Sequence, residues 1–264
     1  MARVVVRDVE LSYGITASGP TLVWGHGLSS SRAHEDQVGL VDWTRVEEVC
    51  RVLRYDARGH GESGFTSDPS SYSWHALALD QIALADAVGV DRYVAGGASM
   101  GCGTALHAAV LAPERIEGLL LVIPPTAWES RQERVAIWDQ VALIIETQGV
   151  EAFLAAMEAM PDPDPLLGRD EWTLARARTT RADDPARLAG VFRGAATADL
   201  PPRDQIRTIS SPALILAWSG DAGHPVSTAL QLAELLPNAE LAVAGTWDEM
   251  QTWTDRATQF VQSF

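Results

Sequence analysis

The chain is predicted to fold as an α/β protein, with a mostly parallel sheet flanked by helices and an inserted helical cap. Short apolar runs typical of strands alternate with longer segments of helical periodicity, which is the pattern of a mostly parallel sheet covered on both faces. The alternation lapses between residues 124 and 202, where only helical segments broken by prolines are found. A length of 264 residues with 47% hydrophobic content suits one large globular domain with such an insertion.

The elements follow in chain order. Residues 3–15 predict an antiparallel hairpin that leads into the sheet. The later strands are expected at 21–24, 51–55, 92–96, 118–123, 212–218 and 240–244. A helix is expected from Trp74 to Gly89, because small and apolar side chains recur there at helical spacing. The final helix, from Trp253 on, carries an apolar stripe that should pack on the sheet.

Two regions are distinguished by this pattern. Residues 1–123 and 203–264 are assigned to the core, and residues 124–202 to the helical cap. The cap carries enough apolar surface to roof a pocket over the carboxyl edge of the sheet. Its large apolar residues are Trp128, Trp138, Phe153, Met157, Met160, Trp172 and Phe192.

Composition excludes several classes of function. The net charge of -15 argues against nucleic acid or an anionic membrane as a partner, because a polyphosphate surface would repel the chain. All 20 basic residues are arginine, so lysine Schiff-base chemistry is excluded. Cys50 and Cys102 lack metal-ligand spacing, and no cofactor is expected. Without a secretory signal or a run of about 20 apolar residues, the chain is expected to be cytoplasmic and to act on a small-molecule substrate.

A serine motif lies between a predicted strand and a predicted helix. Residues 97–101 read G-A-S-M-G. In that position G-x-S-x-G is the strained turn that presents a serine hydroxyl at the edge of a sheet. Ser99 is therefore the candidate nucleophile, and the presence of both flanking glycines favours a functional use of this costly geometry.

Two further motifs accompany the serine turn. Residues 24–28 read W-G-H-G-L and residues 56–63 read D-A-R-G-H-G-E-S, each directly after a predicted strand. With these three motifs in this order, the chain resembles the α/β-hydrolase family over almost its whole length. The resemblance implies a ligand site at the carboxyl ends of the strands. It also implies that the backbone N–H groups of Leu28 and Met100 form the oxyanion hole.

The catalytic histidine of the family is missing from its usual position. The resemblance assigns Asp221, after the strand at 212–218, as the acid of a catalytic triad. The histidine would follow roughly 25 to 30 residues later, and the family pattern aligns it with Trp247. An indole cannot accept a proton, and no histidine follows His224 in the chain.

Two hypotheses identify a residue that acts as the base. In the first, His224 is the base, and Asp248 or Glu249 from the loop after the last strand orients it. In the second, Asp221 acts as a lone carboxylate that polarises Ser99 or a water, which requires burial to raise its pKa toward neutrality. The separation between the Ser99 hydroxyl and the His224 imidazole distinguishes the two.

The remaining candidates are interpreted as structural. His26 is expected to brace the loop at 24–28, and His60 the turn after Asp56. Arg58 is expected to pair with a carboxylate within its own turn.

Three classes of function are compatible with these residues. The leading one is a serine-type hydrolase with an atypical triad, acting on a small or medium apolar ester, lactone or thioester. The alternative is a non-hydrolytic catalyst on the same fold, such as a lyase, isomerase or cyclase, in which Ser99 and Asp221 supply hydrogen bonds. The third is a ligand-binding protein that has lost catalysis.

Overall fold

A computed structural model describes residues 2–16, 18–169, 172 and 184–264. Its core is an eight-stranded sheet with the spatial order β1-β2-β4-β3-β5-β6-β7-β8. The strands are β1 (Ala2–Val6), β2 (Val9–Ile15), β3 (Thr21–Gly25), β4 (Arg51–Tyr55), β5 (Tyr93–Ala98), β6 (Ile116–Val122), β7 (Ala213–Trp218) and β8 (Ala239–Ala244). β1 and β2 form an antiparallel hairpin, β2 pairs antiparallel with β4, and the other neighbours are parallel. The predicted lead-in hairpin and mostly parallel sheet are confirmed.

Helices connect the strands. They are α1 (Arg32–Val38), α2 (Trp43–Glu47), α3 (Trp74–Ala87), α4 (Met100–Leu111), α5 (Trp128–Gln132), α6 (Val135–Gln148), α7 (Val150–Glu158), α8 (Pro185–Thr197), α9 (Arg203–Ile206), α10 (Val226–Leu235), α11 (Trp247–Gln251) and α12 (Trp253–Gln262). Short 3-10 helices occur at Pro69–Tyr72 and Asp164–Leu166. Within the described ranges, no helix has the length and apolar character needed to cross a membrane.

Both faces of the sheet are buried, which explains why its central strands are continuous apolar runs. Successive residues of β5, Val94 and Ala95, belong to two different core clusters, because side chains alternate between the faces of a strand. One cluster contains side chains of α3, α4 and α10, and the other contains side chains of α2 and α12. The predicted stripe of the last helix packs in the second cluster, through Trp253, Ala257 and Val261.

In the segment between β6 and β7, the described residues form helices and connecting loops, and no strand. Its helices α6, α7 and α8 enclose a third apolar cluster, made of Ala142, Ile145, Phe153, Leu188, Ala189 and Phe192. Leu28, in the loop after β3, packs against both this cluster and the main core. The cap boundaries at 124 and 202 stay a prediction, and residues 170, 171 and 173–183 of that segment lie outside the described residues.

Arg58 pairs with carboxylates outside its own turn, so the expectation for it is wrong. Its Nε atom donates to Asp80 Oδ2 of α3 at 2.9 Å, and its Nη2 atom donates to Asp8 at 2.6 Å. The side chains of Arg58 and Asp80 are each only 1% exposed. A buried guanidinium needs a carboxylate partner, and here the partner is supplied by a neighbouring helix.

Candidate active site

Ser99 lies in the turn between β5 and α4, in a backbone conformation that residues other than glycine rarely adopt. Its φ is 51° and its ψ is -106°. The glycines on either side permit close approach of the backbone. A Cβ atom on Gly97 would lie 2.4 Å from the carbonyl carbon of Gly101, and one on Gly101 would lie 2.0 Å from the carbonyl oxygen of Gly25. The two glycines therefore let β3, β5 and α4 meet beneath the serine.

The imidazole of His224 lies between Ser99 and Asp221. Its Nε2 atom is 2.8 Å from Ser99 Oγ, and its Nδ1 atom is 2.8 Å from Asp221 Oδ2. The carboxylate of Asp221 can only accept a hydrogen bond, so Nδ1 must be the donor and carries the proton of the neutral ring. Nε2 is then free of a proton and accepts the hydrogen bond from the serine hydroxyl. This is the order of contacts in which an imidazole can take a proton from a serine.

A tight loop after β7 brings the acid and the imidazole together. Oδ1 of Asp221 accepts from the backbone N–H of Gly223 at 2.7 Å and from that of His224 at 3.3 Å. Aspartate favours such turns because its short side chain can bond to its own backbone two residues on. The loop is also tied to the chain after β6, since the N–H of Thr126 donates to the carbonyl of Gly223 at 3.1 Å.

The surroundings of Asp221 keep it charged. Its partial burial alone would raise its pKa, but hydrogen bonds from the His224 ring, the Gly223 backbone and the Trp218 indole outweigh burial and lower the pKa below its ordinary value. A charged carboxylate is the form that stabilises an imidazolium. The hypothesis of Asp221 as a lone base required the opposite shift.

The structure does not bring Asp248 to the imidazole. Asp248 is exposed in the first turn of α11, while Nδ1 of His224 is occupied by Asp221. Glu249 instead caps α11, accepting from the backbone N–H groups of Gly245 and Thr246. The expectation that this loop orients His224 is corrected, because the turn after β7 already places a carboxylate against the ring.

Trp247 packs at the start of α11. Its ring lies edge-on to Trp172, with centroids 5.9 Å apart, and the guanidinium of Arg169 sits 4.1 Å from its ring centroid. These aromatic and cation–π contacts connect α11 to the segment between β6 and β7.

The two backbone segments that are predicted to supply the oxyanion hole lie next to the serine. Met100 is the first residue of α4, where the backbone N–H groups have no partner within the helix. Leu28 follows Gly27, and a Cβ atom on Gly27 would lie 3.7 Å from the Cβ of Ser99. The helix N-terminus also favours negative charge at this point.

His26 and His60 bond to the backbone, as expected. Nδ1 of His26 bonds to the carbonyl of Gly27 at 2.7 Å, and Nε2 accepts from the N–H of Ala57 at 2.9 Å. Nδ1 of His60 bonds to the carbonyl of Arg58 at 2.8 Å. Burial lowers the pKa of both rings, that of His60 to about 3, so both are neutral at neutral pH.

Sequence reasoning missed one residue of this site. Trp218 was expected only as a strand residue, yet its indole Nε1 donates to Asp221 Oδ2 at 3.1 Å. No sequence pattern separates it from an ordinary core tryptophan, because the contact depends on how the ring is turned at the end of β7.

The fold is that of an α/β-hydrolase. The sequence profile of the family described as "alpha/beta hydrolase fold" matches residues 26–254, and the chain belongs to that family. One relative is the putative carbamate hydrolase RutD of Stutzerimonas stutzeri, which is 27% identical over 242 residues covering 89% of this chain and 86% of that protein. Another is 3-oxoadipate enol-lactonase 1 of Acinetobacter baylyi, which is 27% identical over 80% of this chain and 74% of that protein.

Solved structures share the fold over nearly the whole chain. A hydrolase from Pseudomonas aeruginosa PA01 superposes with a TM-score of 0.81 at 25% identity, covering 98% of this chain and 96% of the other. The enol-lactonase from Burkholderia xenovorans LB400 superposes with a TM-score of 0.79 at 24% identity, covering 99% and 97%.

Proposed function

We propose that the protein is a serine-type hydrolase that cleaves a small or medium apolar ester, lactone or thioester. The 2.8 Å contact between His224 Nε2 and Ser99 Oγ carries the proposal, because a serine hydroxyl becomes an effective nucleophile only beside a base. Membership of the α/β-hydrolase family, and relatives named as a carbamate hydrolase and an enol-lactonase, support hydrolysis of an acyl bond.

The first half of the reaction acylates the serine. Oγ of Ser99 attacks the carbonyl carbon while its proton passes to Nε2 of His224. The N–H groups of Leu28 and Met100 stabilise the charge that develops on the carbonyl oxygen, and Asp221 stabilises the imidazolium. The tetrahedral intermediate then collapses, and the leaving oxygen or sulfur takes the proton from Nε2.

The second half releases the acid. A water gives a proton to Nε2 of His224 as its oxygen attacks the acyl carbon. The bond to Ser99 Oγ then breaks, and the serine recovers the proton from the imidazolium. Every proton transfer uses the same nitrogen, so the scheme needs only the chain's own residues and a water.

In this proposal the base has moved from the position of Trp247 to the loop that also carries the acid. His224 has a partner on each ring nitrogen, Ser99 on one and Asp221 on the other. The indole of Trp247 is packed against Trp172 instead. The triad is defined by geometry and not by sequence position, so the shift preserves the chemistry.

The preference for an apolar substrate rests on the cap segment, residues 124–202. Leu28 beside the serine packs against the apolar cluster that contains Phe153 and Phe192. Apolar side chains next to the loop at 24–28 favour a hydrocarbon acyl or alcohol group over a charged one.

The proposal is tested with a fluorophosphonate probe and short-chain p-nitrophenyl esters. The wild-type protein should be labelled and turn over, and Ser99→Ala should lose both. His224→Gln should lower kcat by about a thousandfold or more. The matched control His75→Gln, at an exposed histidine of α3, should leave kcat unchanged.

A folded wild-type protein that takes no label and cleaves no ester, lactone or thioester of this kind would overturn the proposal. The fold would then serve a non-hydrolytic catalyst or a ligand-binding protein.

A further inference from the structure

Trp218 ends β7 directly beneath the loop that carries the acid and the base. The residue is only 6% exposed. The ring stacks on Trp253, with centroids 5.9 Å apart and planes 29° apart, and lies edge-on to His224 at 6.3 Å. A ring held on two sides has little rotational freedom, so its N–H points in a fixed direction.

Asp221 receives two hydrogen bonds on each carboxylate oxygen. Oδ1 is bound by the backbone N–H groups of Gly223 and His224. Oδ2 is bound by Nδ1 of His224 at 2.8 Å and by the indole N–H of Trp218 at 3.1 Å. In the part of the chain that the structure describes, the indole is therefore the anchor of Oδ2 that comes from outside the loop itself.

This anchor matters because the acid and the base share one short loop. In a triad whose members come from separate elements, each element fixes its own side chain. Here Asp221 and His224 are three residues apart, and any rotation of the loop would carry both away from Ser99 together. The indole N–H joins the carboxylate to the sheet and opposes that rotation.

We propose that Trp218 is a positioning residue for the hydrolytic reaction, holding Oδ2 of Asp221 so that the His224 ring aims its Nε2 atom at Ser99. This inference rests on the proposed function. The indole N–H also stabilises charge on the carboxylate, which keeps the proton on Nδ1 of His224 when the ring becomes an imidazolium.

The test compares two tryptophans of the same buried stack. Trp218→Phe keeps an aromatic ring but removes the N–H, and kcat should fall by about 10- to 100-fold, the value of one hydrogen bond to a charged group, with KM changed less than twofold. Trp253→Phe makes the same change of volume beside it, but it keeps an aromatic ring against Trp218 and leaves the Trp218 N–H on Asp221, so kcat should stay within threefold. Trp218→Leu, which carries no N–H or O–H donor, serves as a second variant at this position should Trp218→Phe not fold.

A spectroscopic measurement tests the contact independently of turnover. In the ¹⁵N-labelled protein, the indole signal that disappears in Trp218→Phe should lie downfield and should move when Asp221→Asn removes the carboxylate charge. The Trp253 signal should not move.

The results that would overturn this inference differ from those that would overturn the proposed function. A Trp218 variant with wild-type kcat, an equal loss of kcat in Trp253→Phe, or an indole signal that ignores Asp221→Asn would each overturn the inference. If the wild-type protein hydrolyses nothing, the positioning role falls with the hydrolase, while the indole signal still reports whether the contact forms.

Discussion

At the residue scale, the candidate site depends on the three-residue spacing between Asp221 and His224. The turn lets one oxygen of the carboxylate bond to the backbone of the loop, while the other reaches the ring of His224. The same side chain thus shapes the loop and holds the imidazole. A carboxylate from the chain after β8 is not needed, although Asp248 and Glu249 directly follow Trp247, the position at which the resemblance to the family predicts a histidine.

This assignment predicts opposite results for two Asp→Asn variants. Asp221→Asn should lower kcat by about a thousandfold to ten-thousandfold, because an amide in that place favours the wrong imidazole tautomer. Asp248→Asn should leave kcat unchanged, since Asp248 is exposed in α11 and His224 has its partner elsewhere. Hydrolysis of a p-nitrophenyl ester by both purified variants checks this. A large loss in Asp248→Asn alone would return the orienting role to the later loop.

At the element scale, the helical segment between β6 and β7 is joined to the sheet domain through α8. This helix lies against the 3-10 helix Pro69–Tyr72, a single short turn that precedes α3, and two glycines of α8 face that turn. A Cβ atom on Gly194 would lie 2.4 Å from the Cβ of Tyr72 and 2.6 Å from the carbonyl oxygen of Pro69, whereas one on Gly190 would lie 3.8 Å from the Tyr72 ring. The close packing of the two elements is thus concentrated at Gly194.

The two glycines should respond oppositely to alanine. Gly194→Ala should lower the free energy of unfolding by about 1 to 3 kcal/mol, because the turn or the helix must shift to admit the methyl group. Gly190→Ala should raise it by up to about 1 kcal/mol, because alanine favours a helix over glycine and meets only ordinary contact there. Urea unfolding midpoints at an unchanged m-value measure both. Equal midpoints for the two variants would contradict the observed approach of α8 to Tyr72.

The strands were predictable from sequence, and the contacts between distant elements were not. β4 was predicted at its observed bounds and β7 to within one residue, because both are short apolar runs that end at glycine-containing turns. His224 was recognised as a candidate base because it follows the acid position. Its partner was not, since whether Asp221 or Asp248 faces the ring depends on the path of a loop. Trp218 illustrates the same limit, because its hydrogen bond depends on a side-chain torsion and leaves no mark on hydrophobic periodicity.

At the scale of the whole molecule, the loops at the carboxyl edge of the sheet are fastened by buried groups that must stay uncharged. His26 and His60 lie with ring centroids 4.9 Å apart between the loop after β3 and the turn after β4. Burial lowers the pKa of both rings below the ordinary value of 6.5. Protonating either ring would place a charge in the interior, and protonating both would place two like charges side by side.

The sign of the resulting pH dependence follows from the direction of the shift. The pKa of His60 is about 3 in the folded chain and near 6.5 when unfolded, so the unfolded state binds the proton more readily. The stability that neutral His60 contributes is complete above pH 6.5 and is lost as the pH falls toward 3. From pH 7 to pH 5 this one group should lower the free energy of unfolding by about 2 kcal/mol.

His60→Asn isolates that contribution, because the asparagine amide can replace Nδ1–H as the donor to Arg58 but does not titrate. Urea unfolding at pH 7 and pH 5 should show a smaller loss of stability for the variant than for the wild-type protein, by about those 2 kcal/mol. Comparing differences between the two pH values cancels any cavity that asparagine leaves. His75→Asn, at an exposed histidine, should follow the wild-type curve. The prediction is contradicted if His60→Asn and the wild-type protein lose the same free energy of unfolding between pH 7 and pH 5. His60 would then take up its proton without unfolding, and the interior would have to admit water around the ring.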